Sequence, residues 1–319
     1  MIPQETTLYT VTPIPGKGKG VLATQSITPG TEILSEPPLF TTATLSNPAT
    51  IEKDLGAIVR SLPKDSQRAF LSLHNNYPGA GDPFSNIIRS NGYPCGPNSD
   101  VGAIFPLVAR LNHSCLPNAQ HAFDTKRNLM RVHAVRPIRP DEEITLSYTT
   151  GGPSDVRKAN LKQYFGFHCR CEICDLPAAR QRESDERYER MQELDERIGD
   201  PKRVKLSPEA ALGDCRDLLD LYRQESVADL RLPRLWYDAF QIAAMHSDEA
   251  RAGVFAEMSA RARVLCEGVE SGEAANCRDL ARKPRGFENF GVTRRWVSRV
   301  GEAPEGAEGD EGWLWREEM

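Results

Sequence analysis

Cys169, Cys171 and Cys174 fall within six residues, in the order Cys-Arg-Cys-Glu-Ile-Cys. Three thiolates this close can wrap one Zn2+ with short loops, and thiolate suits that borderline-soft ion. Structural zinc takes four ligands, so one must arrive from elsewhere in the chain. His168 adjoins Cys169 and is poorly placed to share a metal with it. Cys115 is the leading candidate, although spacing alone does not set it apart from Cys95, Cys215, Cys266 and Cys277. The plain alternative is a group of reduced cysteines that hold no metal.

Cys115 lies in Arg-Leu-Asn-His-Ser-Cys-Leu-Pro-Asn, residues 110–118. Asn112, His113, Ser114, Cys115 and Asn118 can all bind, hydrogen-bond or react. A thiolate activated by His113 is one possible chemistry, but the distant cysteine cluster makes metal ligation the better account of Cys115. Near the N-terminus runs Gly-Lys-Gly-Lys-Gly, residues 16–20. Glycine lets a backbone approach a ligand closely, and two lysines offer cationic donors to a carboxylate. Standing alone, such a segment is more often a solvated hairpin turn. Tyr148, which closes Leu-Ser-Tyr, would by itself read as a strand tyrosine packed in a core.

These residues need elements to position them. Residues 8–40 have β-formers broken by Gly-rich and Thr-Pro-Gly turns, which predicts short strands. Leu55, Ile58, Val59 and Leu62 recur at helical spacing, Pro63 breaks the run, and Phe70, Leu71 and Leu73 resume it. Residues 76–100 are rich in Gly, Pro and Asn, as in a loop around a short helix. β character returns over 101–148, in Gln-His-Ala-Phe-Asp, in Asn-Leu-Met-Arg-Val-His-Ala and in Glu-Glu-Ile-Thr-Leu-Ser-Tyr. Residues 155–166 predict a short helix leading to the cysteine cluster. Beyond Cys174 a highly charged helix is expected, then a stretch that alternates large apolar residues with alanine, as closely packed helix pairs do. Residues 300–312 are Gly- and Glu-rich and predict a linker-like or disordered segment; Trp313 and Trp315 just after it are unusual for a free tail.

With 319 residues the chain suffices for one large domain or two ordinary ones. Its 40 Lys and Arg against 45 Asp and Glu leave a net charge of -5, which argues against bulk electrostatic capture of nucleic acid. No apolar run reaches the roughly eighteen residues that suggest a membrane span. The first residues lack the layout of a secretory signal, so a reducing compartment and metal rather than disulfides are expected.

Taken together and in order, Gly-Lys-Gly-Lys-Gly-Val-Leu-Ala at 16–23, the 110–118 segment, Asp-Glu-Glu-Ile-Thr-Leu-Ser-Tyr at 141–148 and Tyr-Phe-Gly-Phe-His-Cys-Arg-Cys-Glu-Ile-Cys at 164–174 resemble a SET-domain protein-lysine methyltransferase. The likeness is to the SMYD-like branch and its fungal SET-domain relatives, and covers roughly residues 8–176. It implies an α+β architecture: a β-rich SET fold with a pseudoknot and helical insert, a zinc-bound post-SET segment, and an α-helical, tetratricopeptide-like C-terminal domain. The implied bounds are 1–150 for the SET domain with its insert at 41–100, 151–177 for the post-SET segment, 178–290 for the helical domain and 291–319 for a partly disordered tail.

The resemblance also implies S-adenosylmethionine as methyl donor. Lys17, Gly18, Lys19 and Gly20 would curl around it, Asn112 and His113 would contact it mainly through backbone and amide groups, and Asn91 and Phe167 would complete its pocket. Tyr148 would be the catalytic tyrosine, and Tyr148, Phe165 and Phe167 would line the channel for the target lysine. Cys115, Cys169, Cys171 and Cys174 would hold structural Zn2+. In-line transfer to a neutral amine is mostly a matter of proximity and fixed dipoles, and needs no general base side chain.

The chain departs from the family pattern in three places. Phe165 stands where a tyrosine is usual, with Tyr164 one position earlier, so the channel wall lacks a hydroxyl. Asp141 replaces the glycine that usually precedes Glu-Glu-Ile. Residues 41–100 contain only Cys95, so the zinc-binding MYND module of many SMYD relatives is missing. The expected enzyme modifies lysine in a protein, histone or non-histone, as a monomer in nucleus or cytoplasm, with no membrane attachment and no direct nucleic-acid binding. The competing expectation is a SET-fold scaffold of weak or lost activity that recruits partners through its helical half.

Overall fold

The computed structural model of the chain describes residues 8–45, 47–79, 81–97 and 99–316. The chain divides into two compact units. One comprises the residues up to Thr150 together with Asp155–Asp175; the other comprises Gly151–Ser154 and the residues from Leu176 onward.

The first unit opens with a hairpin of β1 (Tyr9–Ile14) and β2 (Gly18–Ala23), antiparallel from Tyr9 opposite Ala23 to Ile14 opposite Gly18. Its turn is glycine-dependent: Gly16 and Gly18 have φ of 75° and 74°, in the left-handed region that side chains other than glycine resist. β3 (Glu32–Glu36) and β4 (Phe40–Thr41) follow. Three helices come next, α1 (Ile51–Ser61), α2 (Lys64–Leu71) and α3 (Pro83–Asn91). They form the insert read from the 3.6-residue periodicity. Val59, Phe70, Leu73 and Ile87 bury together against Ile104, with Phe40 edge-on to Phe70 at 5.5 Å between centroids.

Strands return with β5 (Gly92–Pro94), β6 (Gly102–Ile104), β7 (Asn112–His113), β8 (Ala119–Asp124), β9 (Leu129–Ala134) and β10 (Thr145–Leu146). Among the described residues the remaining sheets are β4-β6-β5, β3-β9-β8 and the pair β7-β10. Only two residues of the expected Glu-Glu-Ile-Thr-Leu-Ser-Tyr strand lie in β10. The physical reason is the preceding turn: Asp141 has φ of 62°, and Asp tolerates that region better than most residues. Buried Val21, Ile33, Phe105, Leu111, Met130, Val132, Ile144 and Leu146 make the core of this unit. α4 (Ser154–Phe165) leads into the cysteine segment.

The second unit is helical: α5 (Ala178–Ile198), α6 (Pro201–Leu206), α7 (Pro208–Gln224), α8 (Arg231–Met245), α9 (Glu249–Glu267), α10 (Gly272–Arg282) and α11 (Glu311–Trp315). Charged α5 buries one stripe, Tyr188, Met191, Leu194 and Ile198, and leaves its charges largely to solvent. α8 and α9 bury Ala239, Ala243, Ala252, Ala256 and Ala260, small residues that let helix axes approach.

The described part of the tail, residues 291–316, packs back through its aromatic residues. Trp296, Leu314 and Trp315 are buried, and Trp315 lies against Trp236 and Phe255 at centroid distances of 5.8 and 5.3 Å. Arg316 Nη1 meets Asp248 at 2.9 Å, a carboxylate with no exposed surface. Composition predicted a polar linker, but a few aromatic anchors outweigh several flexible residues. Trp315→Ala is expected to cost about 3–5 kcal/mol of stability in denaturant unfolding, whereas Val269→Ala, at a residue 70% exposed, stays within about 0.5 kcal/mol.

Candidate active site and metal centre

The parallel pair β7-β10 is the spine of the site, with Thr145 opposite Asn112 and Leu146 opposite His113. Several contacts hold these short strands in place. Glu36 accepts from the backbone N–H groups of Leu107 and Val108 at 3.0 and 2.9 Å, and so caps the 3-10 turn (Val108–Arg110) that delivers Leu111 and Asn112. Burial raises the Glu36 pKa while those two N–H groups draw it down. Asn118 is fully buried; its Nδ2 donates to Glu142 Oε1 and to the Glu143 carbonyl, and its Oδ1 accepts from the Thr145 N–H. This amide fixes the turn before β10.

Glu143 organises the N-terminal part of the site. One of its oxygens accepts from Asn112 Nδ2 at 2.8 Å; the other pairs with Lys17 Nζ at 2.5 Å. Asn112 Nδ2 also reaches the Lys19 carbonyl at 3.3 Å, while Lys19 itself is exposed. Gly20 is enclosed by this group. A methyl there would fall 2.5 Å from Ile14 Cγ1, 2.8 Å from Asn112 Nδ2 and 2.9 Å from Glu143 Oε1. The glycine loop, Asn112 and Glu143 therefore form one packed structure, and Glu143 is a site residue that the sequence had presented only as part of a motif.

His113 faces the interior. The Tyr148 N–H donates to its Nδ1 at 2.9 Å, which leaves Nε2 as the protonated nitrogen, 3.1 Å from Cys115 Sγ. Burial lowers the His113 pKa to about 4; Cys171 opposes this, and Arg157 and Lys17 add to it. The imidazole is thus a neutral bridge between Tyr148 and the cysteine group. Tyr148 Oη donates to the Leu111 carbonyl at 2.7 Å. Burial, and then the nearby Glu143 carboxylate, raise its pKa, so the phenol keeps its proton. Its ring lies 4.8 Å from that of Phe165, and His113 lies 6.0 Å from Phe167. Tyr148, His113, Phe165 and Phe167 form one aromatic group.

Asn91 belongs to the insert. It is buried at the end of α3, and its Nδ2 donates to the carbonyls of His74 and Ile87 at 2.6 and 2.7 Å. Its amide nitrogen is committed to holding the insert, and its hydrogen bonds do not join it to the Asn112–Glu143 group.

The sulfurs of Cys115, Cys169, Cys171 and Cys174 lie within 4.8 Å of one another. Tetrahedral zinc with Zn–S near 2.3 Å requires S···S of about 3.8 Å. Cys115 lies 3.9 Å from Cys169 and 3.6 Å from Cys174. All four thiols are free of disulfides, so the donor set and its spacing fit one Zn2+. The bound ion would supply charge neutralisation and a tie between the 112–118 turn and residues 169–174.

A family profile described as SET domain matches residues 18–149. Histone-lysine N-methyltransferase set5 of Schizosaccharomyces pombe is 32% identical over 287 residues, 89% of this chain and 87% of that protein. N-lysine methyltransferase SMYD2 of Homo sapiens is 41% identical over 73 residues, 23% of this chain and 16% of that protein. Among solved structures, Rubisco LSMT bound to AdoMet aligns over 99% of this chain and 96% of that one, at 12% identity and a TM-score of 0.36. The long match to the fission-yeast protein, with the profile match across the glycine loop, Asn112, His113 and Tyr148, places the chain in the SET-domain family of lysine methyltransferases.

Proposed function

We propose that the chain moves the methyl group of S-adenosylmethionine onto the side-chain amine of lysine in a protein. The observation that carries this reading is the state of Tyr148. Its hydroxyl proton is committed to the Leu111 carbonyl, so its oxygen lone pairs are free to face an incoming amine or polarised methyl group. Phe165 and Phe167 wall the same place with apolar surface, which disfavours a charged ammonium and favours the neutral amine that must attack. The sulfonium donor supplies an electrophilic methyl when bound. Lys17 and Glu143 pair with each other, and this ion pair, with Asn112 on the second Glu143 oxygen, braces the glycine loop that would hold the cofactor. No side chain here needs to act as general base: His113 is neutral and turned inward, and Tyr148 keeps its proton.

The proposed substrate is a protein, histone or otherwise, met in nucleus or cytoplasm by a monomeric enzyme without nucleic-acid contacts. The name of the fission-yeast relative supports a histone as the first candidate. Among the described residues no helix is long and apolar enough to cross a membrane. The test is to incubate the chain with methyl-labelled S-adenosylmethionine and either histones or a cell lysate, then to hydrolyse the protein and resolve the labelled amino acids. Label in N-methyl-lysine supports the reading. Label confined to another residue, or none despite measured cofactor binding, rejects it.

The glycine cradle makes a separate prediction. Gly20→Ala must displace Asn112 or Glu143, and overpacking of this kind costs about 1–3 kcal/mol. Calorimetry should record about a tenfold or greater loss of S-adenosylmethionine affinity. Unchanged affinity would remove the loop from the cofactor site.

A further inference from the structure

Arg157, on α4, is only 1% exposed and heads the fully buried side chains of the described residues in volume. A guanidinium so deeply enclosed is costly unless negative charge lies near it. Its Nη2 points at Cys174 Sγ, 3.9 Å away, within reach of a long N–H···S bond. Four thiolates around one Zn2+ carry a net charge of minus two. That charge would sit among buried Cys115, Cys169 and Cys174, where solvent screens little. Other cations nearby are placed differently. Arg136 is spent on the Leu116 carbonyl and on Glu172, and the Arg170 side chain is 81% exposed.

We infer that Arg157 is the buried counter-charge of the zinc–thiolate centre, and that through it α4 is fastened to the metal. The consequence reaches the aromatic wall, because α4 ends at Phe165. Arg157 is a positioning residue. It donates to a thiolate and offsets part of the centre's negative charge.

The test uses the intact zinc-loaded chain in competition with a chromogenic chelator. Arg157→Met keeps the volume and removes the charge, and should weaken zinc binding by about 10–100-fold, the range seen for outer-shell partners of metal ligands. Arg157→Lys keeps the charge and should recover most of that loss. In cobalt-loaded protein the thiolate-to-metal charge-transfer bands should move to lower energy in Arg157→Met, since a thiolate without its cation gives up an electron more readily. Zinc affinity and cobalt spectrum both unchanged in Arg157→Met would overturn the inference. Equal losses in the Met and Lys variants with unmoved bands would also overturn it, leaving a packing role only. Should Arg157→Met not fold, Arg157→Gln replaces it in the same comparison with Arg157→Lys, with the cobalt bands deciding.

Discussion

Tyr148→Phe is expected to lower kcat for methyl transfer by about 10²–10³-fold, the usual cost of removing one preorganised polar group from a reacting centre. Cofactor affinity should hardly change. The ring stays, so the contacts with Phe165 at 4.8 Å and His113 at 5.3 Å survive, as does the backbone N–H that His113 Nδ1 accepts. What disappears is an oxygen whose direction was fixed by its bond to the Leu111 carbonyl. Stability should fall by only about 1 kcal/mol for that hydrogen bond, so the folded variant can be measured directly. Single-turnover transfer, calorimetry with S-adenosylmethionine and thermal melting separate the three effects. Wild-type kcat in the variant would show that the phenol oxygen takes no part in the reaction.

Cys115→Ser should have the larger effect on the fold. Cys115, 54 positions before Cys169, is the proposed fourth ligand, so its loss would leave three local thiolates with nothing to bind them to the 112–118 turn. Loss of a structural metal is among the few changes that cost more than about 4–5 kcal/mol, and chelation of the wild type should reproduce the defect. Elemental analysis should find about one zinc in the wild type and in Cys95→Ser, and substoichiometric, easily removed zinc in Cys115→Ser. Activity should fall with it, because His113 Nε2 rests on Cys115 Sγ and Phe167 leads directly into Cys169. A tightly held zinc in Cys115→Ser would assign the fourth position to another residue.

Much of this was legible in the sequence, for local reasons. Three cysteines in six residues point to a metal from spacing alone, and Leu55, Val59 and Phe70 point to helices by their period. The fourth ligand was legible only through the family resemblance, because proximity across 54 residues leaves no mark in spacing. Glu143 was hidden for the same reason: its three partners, Lys17, Asn112 and the space at Gly20, lie far from it in the chain. Arg157 falls in the short helix predicted over 155–166, and only packing shows it to be enclosed. For Asn91 the sequence could not show that its amide nitrogen holds the end of a helix, because such an amide and one that meets a ligand look alike in a string of letters. In the tail, composition averages over residues, whereas packing depends on a few tryptophans, of which Trp315 is buried.

The pairing of β7 with β10 also bears on how the molecule comes to exist. The β8-β9 hairpin closes over neighbouring residues and can form as soon as it leaves the ribosome. The two-residue strap beside it must wait for residues 145–146, and the thiolate cluster must wait for Cys174, since contacts between distant positions form slowly and late. Completion of the site is therefore a late step of folding, with the cysteine cluster the last part to close. Until that step the nascent chain carries finished hairpins without a finished site. A shortage of zinc would act on this protein as a failure of maturation, well before it could act as an inhibitor.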